Sequence, residues 1–240
     1  MKKIIMIILL INTNLFAQKN GIAEYEFSYK KFNNPPENTT VANARRDADM
    51  SAEYATDHRY ILKFNSNESF YYVENSMPID GIDNEFAYKF SKYIFSSGIF
   101  YQNRKTKEML NKTVFMSESY LVKDSISYNW KITSDVKYIG KFKCFKAVSS
   151  CKTCNKKQTL TVWFTPEIAV PYGPAGYGGT PGLILEVSKY RYTLRLKKIK
   201  LSNKNIVIKK PSKGILITTD KFKRLQMERR VEIMKNRSSH

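Results

Sequence analysis

Trp163-Phe164-Thr165-Pro166-Glu167-Ile168-Ala169-Val170-Pro171-Tyr172-Gly173-Pro174-Ala175-Gly176-Tyr177-Gly178-Gly179-Thr180-Pro181-Gly182-Leu183-Ile184-Leu185 changes character twice within one short stretch. A β-like run ends at Thr165-Pro166, a proline- and glycine-rich passage follows, and an apolar run resumes at Leu183. Pro166, Pro171, Pro174 and Pro181 fix φ and remove backbone donors, while Gly173, Gly176, Gly178, Gly179 and Gly182 permit positive φ or close backbone approach. The passage therefore reads as a long loop with a specified path that delivers Leu183-Ile184-Leu185 into a sheet. Loops of this length inside a compact domain are often functional. Two roles are open for it: a plug across one end of a curved sheet, with Trp163 and Tyr172 as packing anchors, or a surface that touches a ligand.

Outward from the loop, strand signals recur. Phe142–Ser149 and Gln158–Thr165 read as two arms of a hairpin, and Leu183–Val187 with Tyr190–Leu201 as another. Ile22–Tyr29 alternates apolar and polar residues, which buries one face of an opening strand. Further runs at Tyr60–Phe64, Ser69–Glu74, Lys92–Tyr101, Thr113–Ser117, Ser127–Thr133 and Val136–Ile139 are separated by turn signals such as Asn65-Ser66-Asn67, Asp80-Gly81 and Ser134-Asp135. Thr40–Asp57 permits either a short helix or a loop. Asp220–Asn236, with Thr219 or Asp220 as N-cap, is the strongest helix candidate, although its apolar residues form no single stripe. The expected fold is mainly β: a curved antiparallel sheet or partly closed barrel of about eight to ten strands with a C-terminal helix.

Chemistry-bearing residues are sparse. Cys144, Cys151 and Cys154 are the only thiols, and Cys151-Lys152-Thr153-Cys154 has redox-motif spacing. Zinc needs four ligands, and besides these three the chain offers only His58 and His240. If the hairpin is symmetric about Thr153, Cys144 falls opposite Val162, which leaves a Cys151–Cys154 disulfide in the loop and Cys144 as a buried free thiol. Asp47, Asp49, Glu53 and Asp57 read as a solvated acidic cluster, and His58 beside them as a structural histidine. No Gly-x-Ser-x-Gly, paired-histidine or phosphate-cradling motif occurs. No catalytic, cofactor-binding or metal site is expected.

The signature Gly179-Thr180-Pro181-Gly182-Leu183-Ile184, preceded by Trp163, Pro166, Gly173 and Pro174, resembles that of the GLPGLI family, as does the lead-in Tyr138-Ile139-Gly140-Lys141-Phe142-Lys143-Cys144-Phe145-Lys146-Ala147. Thr180 departs from the family's usual Leu, and Ala169-Val170 from a frequent second proline. The resemblance implies an exported envelope protein of unknown biochemical activity.

Met1–Ala17 has the form of a secretory leader: Lys2 and Lys3, an apolar run from Ile4 to Ile11, and Leu15-Phe16-Ala17 before the cleavage point. The expectation is a leader over residues 1–17 and a single β-rich domain over residues 18–240, soluble in the periplasm or outer envelope, with no Cys placed to carry a lipoprotein anchor. With 41 Lys and Arg against 21 Asp and Glu, the formal charge is +20. Such a field attracts anionic membrane surfaces or other polyanions, although a lysine-rich surface that maintains solubility is the favoured account of it. Nucleic acid is not an expected partner, because no recognised binding motif is present and export removes the target. The function expected is a non-enzymatic binding or structural module, its partner an unknown envelope protein or an apolar or anionic ligand. A periplasmic carrier of a lipid or other apolar ligand is the alternative, followed by a redox or hydrolytic enzyme.

Overall fold

The computed structural model describes residues 19–32, 39–74, 84–95, 98–124, 128–150 and 159–238. The leader Met1–Ala17 and the Cys151–Cys154 pair lie outside the described residues. The elements are β1 (Asn20–Tyr29), α1 (Thr39–Ala55), β2 (Arg59–Phe64), β3 (Glu68–Glu74), α2 (Glu85–Ser91), β4 (Ile99–Asn103), β5 (Glu108–Phe115), β6 (Glu118–Asp124), β7 (Lys131–Ile139), β8 (Phe142–Ser150), β9 (Thr159–Thr165), β10 (Leu183–Lys189), β11 (Tyr192–Ser202), β12 (Ile215–Thr218) and α3 (Thr219–Ser238). One 3-10 turn, Pro174–Gly176, sits inside the signature loop.

All twelve strands belong to one large, curved, open sheet in the order β12-β6-β5-β4-β3-β2-β1-β11-β10-β9-β8-β7. It consists of two meanders, β1 to β6 and β7 to β11, fused where β1 pairs antiparallel with β11 from Asn20↔Ser202 to Tyr29↔Tyr192. The curved mainly-β architecture and C-terminal helix match the sequence reading; the strand count exceeds it, and β12 runs parallel to β6 rather than antiparallel. The differences in strand boundaries have identifiable causes. Met116 and Ser117, both at positive φ (52° and 67°), form the two-residue turn between β5 and β6 without the Asn-Gly signal that marks such turns. Ser134-Asp135, read as a turn, lies instead in an irregularity within the continuous β7. The Lys92–Tyr101 run is not one strand: α2 ends at Ser91 and β4 begins only at Ile99.

Side chains alternate across the sheet, and β10 is buried on both faces. Leu183 and Leu185 join the larger core with Tyr25, Phe27, Tyr60, Phe64 and Leu194. Ile184 and Val187 join a second cluster with Ala147, Val162 and Phe164. The bulge between Ile184 and Glu186 explains how Ile184 and Val187, three apart, share a face. Helix α1 enters the larger core through Ala52 and Ala55. It is clamped by Arg191, which pairs with Asp49, donates to the Lys30 and Ala48 carbonyls at 3.0 Å each, and lies 4.1 Å from the Phe32 ring centroid. Asp49 therefore serves packing, contrary to the solvated reading of the acidic cluster, whereas Glu53 and Asp57 are exposed.

Candidate functional site: the proline/glycine loop and its cleft

The signature loop is buried, and backbone hydrogen bonds lace it together. The Ile168 carbonyl accepts from Val170 N at 2.8 Å and Leu183 N at 3.0 Å, which ties the two ends of the loop to each other. Inside that tie, Pro171 O accepts from Gly179 N at 3.0 Å, Tyr172 bridges Gly178, and Tyr172 O accepts from Ile184 N at 2.9 Å. At the tip, Pro174 O accepts from Tyr177 N at 3.0 Å, and Ala175 and Gly176 adopt positive φ (54° and 76°). Ile168, Val170, Tyr172 and Ala175 are members of the larger core, with Trp163 packed against it. Pro166 and Pro181 are exposed.

Three side chains far away in sequence hold this path from outside. Gln102 Nε2 donates to Gly176 O at 2.7 Å, Trp130 Nε1 to Gly178 O at 2.9 Å, and Tyr25 Oη to Ile184 O at 2.7 Å. Backbone groups without a ladder still need partners when buried, and these supply them. No local pattern marks Gln102, Trp130 or Tyr25 as loop partners. Gly182 is required by proximity rather than by positive φ: a Cβ there would lie 2.0 Å from Thr165 O and 2.6 Å from Thr165 C. Gly173 would bring its Cβ within 2.8 Å of Ile184 Cβ, and Gly179 stands at φ +83°. Thr180 is buried, and its hydroxyl donates to Gly182 O at 2.8 Å.

Beside the loop lies a cleft of about 380 Å³, walled by Pro171, Tyr172 and Gly178-Gly179 on one side and by Gln102, Arg104 and Met109 on the other. Past Lys107 and Glu108 it meets a more polar groove of about 740 Å³ that reaches Thr219 and Lys223 at the start of α3. Glu108 is paired with Lys210 at 2.7 Å. Burial raises the phenol pKa of Tyr172, and that of Tyr177 to about 12, so both stay protonated and neither is poised as a base. On the sheet face opposite Phe164, Trp163 carries the Lys137 ammonium 4.3 Å from its ring centroid. Lys137 in turn pairs with the buried Glu186 at 2.7 Å, and Arg195 meets Glu186 at 3.1 Å.

The remaining sequence candidates do not converge on the cleft. Cys144 is fully buried, and burial pushes its thiol up to about 11, which removes the thiolate needed for nucleophilic or redox work at neutral pH. Its register differs from the symmetric expectation: Ala147, not Cys144, lies across from Val162, because the β8–β9 ladder is centred past Thr153. His58 is buried, with Nε2 2.7 Å from Ser91 Oγ. The Ser91 hydroxyl donates to Tyr88 O at 2.6 Å, so Nε2 carries the proton and donates to it. Burial, reinforced by Lys92, lowers the imidazole pKa against the opposing pull of Asp57, and the histidine joins α1 to α2 in neutral form. Among the described residues, no group of three or more His, Cys, Asp or Glu could hold a metal ion.

Residues 150–186, which hold the whole loop, match a family described as a protein of unknown function (Porph_ging). No curated protein matches the chain. Two solved structures of PNGF-II are similar in fold, at 18% identity. One, in a C2 space group, has a TM-score of 0.51 over 84% of this chain and 31% of PNGF-II; the other, in P21, has 0.55 over 86% and 33%. The chain thus spans about a third of the length of PNGF-II. Among the described residues, no helix is long and apolar enough to cross a membrane.

Proposed function

We propose that this chain is an exported envelope protein of the GLPGLI kind and acts as a non-enzymatic binding or structural module. The observation that carries the reading is the state of the signature loop: its prolines and glycines build a buried, hydrogen-bonded insert in the sheet and present no reactive group. Two features support it. The loop's own phenols, Tyr172 and Tyr177, are held neutral by burial while its one carboxylate, Glu167, accepts from Lys143 N at 2.8 Å, and a similar fold makes up about a third of the longer PNGF-II chain. The cleft beside Tyr172 is the place such a module offers a partner.

Native mass spectrometry of the protein isolated from the envelope fraction tests the reading. The expected species is a chain beginning at Gln18, free of lipid and small ligand. A retained Met1–Ala17 segment would sink the export proposal. A co-purifying apolar molecule would replace the module with the carrier.

A further inference from the structure

Helix α2 presents an aromatic face to solvent. Phe86, Phe90 and Tyr93 are 72%, 51% and 46% exposed, unusually high for large aromatic side chains. They occur at i, i+4 and i+7, which places them on one side of the helix and its last turn. The Phe86 and Phe90 rings stack at 6.1 Å with 8° between their planes.

This face is held rigidly from behind. Asn84 caps the helix by accepting from Ala87 N at 2.9 Å, Ala87 and Ser91 are buried, Ser91 bonds His58, and Tyr88 meets Tyr54 edge-on at 5.7 Å. A seven-residue helix has no stability of its own, so the scaffold maintains a display that burying these rings inward would have avoided. Lysines flank the aromatic face: Lys89, 68% exposed and paired with Glu85, and Lys92, whose ammonium lies 5.5 Å from the Tyr88 ring centroid.

Charge selects the occupant. A second copy would bring a +20 chain against a +20 chain, whereas a negatively charged surface is attracted by that same field. Aromatic rings beside lysines are the side chains that settle at the boundary between headgroups and acyl chains. We infer that the α2 face docks the protein on an anionic lipid surface, with Phe86 and Phe90 entering the interface. The inference goes beyond the module reading and does not depend on export.

Co-sedimentation of the full chain with vesicles of about 70% phosphatidylcholine and about 30% phosphatidylglycerol tests it. Binding should be at least about tenfold tighter than to pure phosphatidylcholine, with a loss on raising salt from about 0.1 to about 0.5 M. Phe86→Ser with Phe90→Ser should weaken it at least about fivefold, and Val114→Ser, at an exposed apolar position on β5, should not. A Phe90→Trp variant should gain blue-shifted emission, relative to the unsubstituted protein, with anionic vesicles only; being conservative, it also decides the matter should the double serine variant misfold. Unchanged binding of a folded double variant, no added emission shift in the Phe90→Trp protein on mixing with anionic vesicles, or a concentration-dependent dimer dissolved by the serine changes would overturn the inference.

Discussion

The signature loop and helix α3 invert the usual relation between regularity and burial. The loop from Thr165 to Leu183 has almost no repeating structure, yet most of it is buried and its backbone is bonded to residues as distant as Gln102 and Trp130. Helix α3 satisfies its own backbone over 20 residues, yet among its described side chains only Phe222, in the first turn, is buried, against Phe115 and Tyr120 at 5.8 and 5.2 Å. Met227 and Val231 farther along are 64% and 44% exposed. Regular hydrogen bonding makes an element self-sufficient; burial makes it indispensable. Only the second ties it to global stability.

The largest effect that contrast predicts is at Gly182. Replacing it by Val drives a branched side chain into the Thr165 and Pro166 backbone, which cannot rotate aside. The expected cost is about 3 kcal/mol or more, read as a shift in denaturant midpoint against exposed Lys200→Ala. A small shift would show that the loop is not integral to the fold.

A middle-sized effect is expected for Tyr25→Phe, which removes the donor to Ile184 O while keeping the ring. The orphaned carbonyl should cost about 1–3 kcal/mol, and amide exchange should rise in the loop before it rises in β5 and β6. Uniform exchange across both meanders would mean that the phenol holds the whole core rather than the loop.

The smallest effect sharpens the other half of the comparison. Truncating the chain after Leu225 leaves Phe222 in place and removes helix whose described side chains are mostly exposed, so stability should change by no more than about 0.5 kcal/mol in the same unfolding experiment. A loss of several times that amount would show that the exposed part of α3 has a role in the fold.

Part of this was legible along the chain. Alternation in Ile22–Tyr29 marked β1, the proline and glycine spacing marked both ends of the loop, and Thr219-Asp220 marked the start of α3. The Met116-Ser117 turn was hidden because positive φ at two non-glycine residues is imposed by the strands on either side. Short β12 was hidden because nothing in Ile215–Thr218 announces a parallel partner as far back as Tyr120. In the loop, glycine identity showed that backbone would come close to something, but not to what: Thr165 for Gly182, Phe100 for Gly176, Pro171 for Gly178.

Local terms were set by the residues in order: where φ is restricted, where it is free, which runs alternate, and how strongly the chain is charged. Those depend on neighbours within a few residues and can be read from composition and spacing. Folding alone settled that β1 closes against β11, that Arg191 captures Asp49, that His58 stays neutral between two helices, and that the loop is filled in rather than open. Each of these sets the desolvation of a group against a partner remote in sequence, and that balance exists only once the chain has brought the two together.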